Sequence, residues 1–246
     1  MRKLLLGLPL LLATAPAHAA EIGDTEVAIT VGVDYVSQYV FRGVSLADDA
    51  IQPYVELGFG NFTVGTWFST GIGETSEFAG DEIDFYASYG FEFSPIVSGN
   101  VGITYYHYPQ GGGFLGTDDG GTGSYEVSGG VGFDVALAPS ATAYYDFTLE
   151  TFTLEGALGH SLGTGGSKGS FDLGLVAGLV DGDGFSYEYG TVTAGLSYPV
   201  TDDASVSAGI NYTLSSEDSL DFDDLVRTLE GDDDLFWAGV GISAGF

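Results

Sequence analysis

The chain has no cysteine, one methionine and only five lysines and arginines among its 246 residues. Without cysteine there is no disulfide framework, no thiolate nucleophile and no cysteine-held metal. The shortage of bases removes a second class. Two of the five are Arg2 and Lys3, so Arg42, Lys168 and Arg227 face 35 carboxylates over the rest of the chain. No basic patch exists to neutralise phosphates, and nucleic acid is excluded as a partner. Long apolar runs are missing too: past the N-terminal residues, no stretch reaches the length of a membrane-spanning helix.

What is present is glycine, 40 residues of it, with 14% aromatics and a charged fraction of only 16%. A disordered acidic chain lacks aromatics. This mixture suits a β protein with tight turns and an amphipathic wall. At the N-terminus, Arg2 and Lys3 precede an apolar run over 4–13, and Ala17-His18-Ala19 fits the small-x-small cleavage pattern. Residues 1–20 are therefore expected to be a secretory signal peptide cleaved after Ala19 or Ala20. Residues 21–246 contain no linker or shift in composition and are expected to form a single domain.

Strict alternation recurs along that domain. Val27, Ile29, Val31, Val33, Tyr35, Tyr39 and Phe41 share one face of the first run, and Ile51, Pro53, Val55, Leu57 and Phe59 one face of the second. Strands are expected near 27–41, 51–59, from 62, 82–93, 97–108, 125–137, 141–150, 152–162, 170–180, 186–198, 204–214 and 235–246. That makes about twelve; ten is the alternative count, because the divisions at 141–162 and 186–198 are weakly marked. Connections after even strands are short (60–61, 94–96, 138–140, 163–169, 199–203), whereas 70–81, 109–123 and 215–234 are longer and acidic. Even strand number and this asymmetry predict an all-β, transmembrane, antiparallel up-and-down β-barrel. It would have short periplasmic turns and longer acidic extracellular loops, in the outer membrane of a Gram-negative bacterium.

The last strand places Phe236, Ala238, Val240, Ile242, Ala244 and Phe246 on one face. It must pair with the first to leave no open edge. Its closing aromatic, Phe246, resembles the assembly signal read by the barrel-assembly machinery, which is expected as a partner together with outer-membrane lipid and lipopolysaccharide.

Charge obeys the same parity. Asp34, Glu56, Asp84, Glu92, Glu126, Asp134, Asp146 and Asp172 all fall on the face opposite the apolar stripes. A carboxylate is costly against lipid and hydrated in a watery lumen, so these residues are expected to line a pore. Tyr54, Trp67, Tyr86, Tyr106 and Tyr144 share that parity. Glu188 breaks it unless a bulge near Gly190 shifts the register. Arg42 is the one base within the expected strand region. It is read either as a pore residue or as the ion-pair partner of Asp34, Glu56 or another wall carboxylate.

An acidic, narrow passage concentrates cations and repels anions. The expectation is passive diffusion of small solutes with cation preference and no cofactor. The alternative is a closed barrel with a structural or surface-interaction role, whose acidic loops loosely bind divalent cations bridging to lipopolysaccharide phosphates. Asp181-Gly182-Asp183-Gly184 lacks the later ligands of a calcium loop, so no bound metal is expected. A third reading, lipid hydrolysis through His107, lacks an outward serine beside that histidine. His107 is instead placed with Tyr105 and Tyr108 in the interfacial aromatic belt, and no enzyme is expected. Within 215–234, residues 220–229 are expected to form a short amphipathic helix over the mouth.

Residues 31–59 carry Tyr35, Ser37, Tyr39, Val40, Phe41, Arg42 and Gly43, then the pair Gln52-Pro53, and are followed by Gly65-Thr66-Trp67. On these residues the chain resembles the TorF-type porin family, small outer-membrane proteins of proteobacteria. The resemblance implies an outer-membrane barrel with the option of a pore. It supplies no catalytic or ligand residues.

Overall fold

A computed structural model of the chain describes residues 19–22, 25–72, 81–117, 123–164, 168–217, 219–222 and 231–246. Twelve strands form the wall. They are β1 (Thr25–Val36), β2 (Ala50–Phe59), β3 (Phe62–Gly71), β4 (Glu82–Ser94), β5 (Val97–His107) and β6 (Ser124–Phe133), then β7 (Ser140–Asp146), β8 (Thr151–Gly163), β9 (Ser170–Gly182), β10 (Phe185–Pro199), β11 (Ala204–Ser215) and β12 (Asp234–Gly245). Each pairs antiparallel with its neighbours, and β12 returns to β1 in the register Gly239↔Val36 through Gly245↔Thr30. The seam is completed by Phe246, whose N–H donates to the Ile29 carbonyl while its own carbonyl accepts from Ile29 N–H, at 2.8 and 2.9 Å. Closure satisfies the edge groups that an open sheet would expose to hydrocarbon. The short strand Ala19–Ile22 folds back on the start of β1. Residues 1–18, most of the expected signal peptide, lie outside the described residues.

The inside–outside sense follows the alternation. Leu57, Phe85, Ile103, Leu158, Leu175 and Val240 are exposed on the outer surface, whereas Tyr54, Trp67, Asp84, Tyr144, Asn211 and Trp237 are buried inside. Two-residue or otherwise short turns join strands at the end holding Phe246, as at 60–61 and 95–96. No described helix is long and apolar enough to cross a membrane, which says nothing of a β-barrel.

A recurrent device sets the inner surface. Gly32, Gly65 and Gly178 lie directly across the ladder from Tyr54, Tyr86 and Tyr189. A Cβ on each glycine would collide with the opposing ring at 2.4–2.5 Å. The missing side chains therefore let three tyrosines lie flat along the wall.

Two sequence-based expectations change here. The first strand does not run to Phe41: it stops at Val36, and 39–47 make a separate hairpin of Tyr39–Phe41 with Val44–Ala47. Strict alternation continues through Tyr39 and Phe41 because a hairpin is also pleated, and period alone does not say which sheet a strand joins. No bulge corrects β10 either; its ladders run without a register shift, and Glu188 stays exposed on the outer face near the β9–β10 turn.

Candidate functional site

Between β1 and β2 the chain folds into the barrel. The hairpin turns at Arg42-Gly43, both with positive φ (49° and 78°), the requirement of the two-residue turn whose twist matches its strands. Glycine meets that requirement freely; arginine does so at a cost of roughly 1–2 kcal/mol. Gly43 is also tight in space, since a Cβ there would sit 2.5 Å from the Tyr189 Cβ.

The arm of the hairpin rests on one wall and its tip reaches another. Tyr39 stacks obliquely on Trp67 of β3 at 5.3 Å and donates its hydroxyl to Glu82 of β4 at 2.9 Å. Arg42 arrives at β6 and β7. Its Nη1 and Nη2 donate to Oε2 and Oε1 of Glu126 at 2.6 and 3.0 Å, a bidentate pair. The guanidinium lies 4.1 Å from the centre of the Tyr144 ring and 4.7 Å from that of Phe41. Tyr106 donates to the same Glu126 Oε1 at 3.0 Å. The pair is largely out of solvent, with 11% and 5% of the two side chains accessible. Arg42 thus forms an ion pair with Glu126, rather than with Asp34 or Glu56, and stands at a hairpin tip rather than in the wall.

A second segment holds the hairpin. The Ser45 N–H donates to the Ser219 carbonyl at 2.9 Å, and Ser219 Oγ donates to the Gly43 carbonyl at 2.7 Å. Leu220, fully buried, joins Val36, Tyr39, Val40, Ala50, Trp67 and Trp237 in an apolar cluster inside the barrel. Asp221–Phe222 pairs with Gly231–Asp232. The helix expected from residue 220 is therefore replaced at its start by a strand, because Leu220 is drawn into the hairpin cluster; 223–230 lie outside the described residues.

The expected lining residues separate by level. Trp67, Asp84 and Glu126 are buried at the level of the hairpin. Asp34 and Glu56 are half-buried on the inner parity of β1 and β2, and Asp172, near the short turns, accepts from Ser170 at 2.9 Å. Glu92 is exposed beside a register shift at the end of β4. Asp146 is buried at the opposite rim, where its Oδ1 accepts the N–H groups of Thr148 and Leu149 at 2.8 Å and fixes the β7–β8 turn. Asp134 is displaced: β6 ends at Phe133, and Asp134 is an exposed turn residue whose N–H bonds Ile96.

Sequence reasoning did not single out Glu82, Glu155, Tyr187 or Tyr189. Glu82 accepts from both Tyr39 and Tyr108, and Glu155 accepts from Tyr189 at 2.6 Å. Tyr108 consequently points inward instead of joining the outer belt. His107 and Tyr105 keep the outward parity but are buried, stacked at 6.0 Å with Phe114 edge-on to the histidine at 5.3 Å. Alternation of Thr151, Thr153 and Glu155 against Phe152 and Leu154 was the available signal for Glu155.

Residues 20–223 match a family described as bacterial proteins of unknown function, Gcw_chp. The chain belongs to the Gcw_chp family. Comparison of this Gcw_chp chain with curated proteins gives no match. Among solved structures it resembles the KdgM porin in complex with disordered oligogalacturonate (TM-score 0.56, 13% identity, 89% of this chain and 99% of that one). It also resembles the NanC porin (0.55, 13%, 88% and 98%) and the COG4313 outer-membrane channel from Pseudomonas putida F1 (0.50, 10%, 93% and 97%). At these identities the likeness concerns the fold, which is that of outer-membrane porins and channels.

Proposed function

We propose that this Gcw_chp protein is a narrow outer-membrane channel for passive diffusion of small cations and small neutral or cationic solutes. The observation that carries this reading is the inward set Asp34, Glu56, Asp84, Glu126, Glu155 and Asp172, faced in the barrel by Arg42 as the only described base. One sign of charge in a low-dielectric passage attracts counterions and repels co-ions. KdgM has been captured with an acidic saccharide; the same fold with this charge pattern suits the opposite class of solute. The TorF-type resemblance of residues 31–59 lies within the span matched by the family and agrees with a porin. The acidic loops are further assigned a loose affinity for divalent cations, shared with lipopolysaccharide phosphates.

The test is single-channel recording of the refolded mature chain in a planar bilayer under a potassium chloride gradient. Discrete steps with a cation-selective reversal potential are expected. Asp34→Asn with Glu56→Gln should move that potential toward zero. A second reading is favoured by the apolar cluster around Leu220: the hairpin closes the barrel, and the protein serves a structural or surface role. Silence from folded, inserted protein would select it and overturn the channel.

A further inference from the structure

The Arg42 contacts describe more than a structural ion pair. Glu126 offers both oxygens in the plane of a guanidinium, and the Tyr144 ring lies against the cation's face at 4.1 Å. Tyr106 holds Glu126 from the side. Glu155, held by the Tyr189 hydroxyl at 2.6 Å, lies on the adjacent strand β8 opposite Thr142, two residues from Tyr144 on the same inner face. A carboxylate fork, an aromatic face and a second carboxylate are the elements that recognise guanidinium in general. The group that fills this cradle is carried on a hairpin rather than built into the wall, and it is held at a turn position unfavourable for arginine. Its Nε finds no acceptor although it is buried. Glu126 and Tyr144 belong to the wall strands β6 and β7, so the cradle persists whether or not the hairpin is docked.

We propose that Glu126, Tyr144 and Tyr106, with Glu155, form a binding station for guanidinium-bearing solutes, and that Arg42 is its tethered resident occupant. A guanidinium solute reaching the lumen competes with Arg42 for the Glu126 fork. When it wins, the hairpin tip loses its anchor on the far wall. The station thereby couples solute binding to widening of the passage. The idea rests on the diffusion reading for delivery of solute to the lumen, but its binding step is separable from conductance. A tethered group competes at an effective concentration of order millimolar or more, so the wild type should bind a free competitor weakly.

The probe is agmatine, a small cation with one guanidinium group, titrated by calorimetry into folded full-length mature protein in detergent. Arg42→Asn is the informative variant, because Asn-Gly is the preferred pair for this turn and keeps the hairpin foldable. Arg42→Asn should bind agmatine at least tenfold more tightly than wild type, and adding Glu126→Gln should abolish the gain. Equal affinity in wild type and Arg42→Asn, or a gain that survives Glu126→Gln, would overturn the station. Wild-type protein supplies a check without any variant. Agmatine should accelerate amide hydrogen exchange across 39–47, and unchanged exchange at concentrations saturating Arg42→Asn would refute displacement. The two readings fail separately. Binding by a protein silent in the bilayer would sink the channel and keep the station, whereas conduction without binding would do the reverse.

Discussion

At the scale of the residue, the Arg42-Gly43 turn shows local preference overruled by a distant partner. An arginine at φ 49° is retained because its fork meets Glu126 across the barrel. Removing the charge on Glu126 leaves a largely buried guanidinium without its counterion, a loss of about 3–5 kcal/mol when a pair is fully buried and less where lumen water reaches it. Glu126→Gln should therefore raise hydrogen exchange across 39–47 by at least tenfold while the wall ladders keep theirs. Equal protection in the variant would mean that the apolar cluster and the Ser219 hydrogen bonds hold the hairpin without the ion pair. Gly43→Ala attacks the same tip by another route. A Cβ there meets the Tyr189 Cβ at 2.5 Å on a backbone that L residues avoid, so the hairpin should undock and single-channel conductance should rise. Unaltered conductance would show that the tip does not limit the passage.

At the scale of the element, the inserted hairpin and the glycine–tyrosine pairs were the parts least legible in the sequence. Alternation located Tyr39 and Phe41 on a strand but could not assign that strand to the lumen instead of the wall. The motif around Phe41-Arg42-Gly43, which carries the resemblance to the TorF-type family, is the turn of that hairpin. Parity placed Tyr54 and Tyr86 inward, but only the cross-strand register reveals that each lies over a glycine. The arrangement keeps bulky rings without letting them project across the barrel. Gly65→Val should push Tyr86 off the wall, costing about 1–3 kcal/mol by overpacking and lowering the denaturant midpoint of the folded barrel. Gly129→Ala, where nothing lies within 4 Å of the added carbon, is the matched control and should leave the midpoint within error.

At the scale of the whole molecule, the barrel was legible because two solvents impose two faces on every strand. Apolar side chains and carboxylates separate by a period of two, and closure follows from the absence of a partner for the first and last strands. The strand count survived even through 141–198, where turns were weakly marked. Positions of individual carboxylates were less secure, since parity does not tell where a strand stops; Asp134 lies beyond the end of β6 for that reason. The two-solvent argument makes a direct prediction at the middle of β9, whose Leu175 faces outward and Val176 inward. Leu175→Lys should destabilise the protein folded in bilayers by about 2–4 kcal/mol, the cost of a lysine at the midplane. Val176→Lys, one residue along, should fold with a near-native midpoint and reduce cation preference by setting a positive charge among the inward carboxylates. The measurement is urea unfolding in lipid vesicles followed by the reversal potential of each folded variant. Equal tolerance of lysine at both positions would contradict a lipid-facing exterior, and with it the membrane placement on which the channel depends.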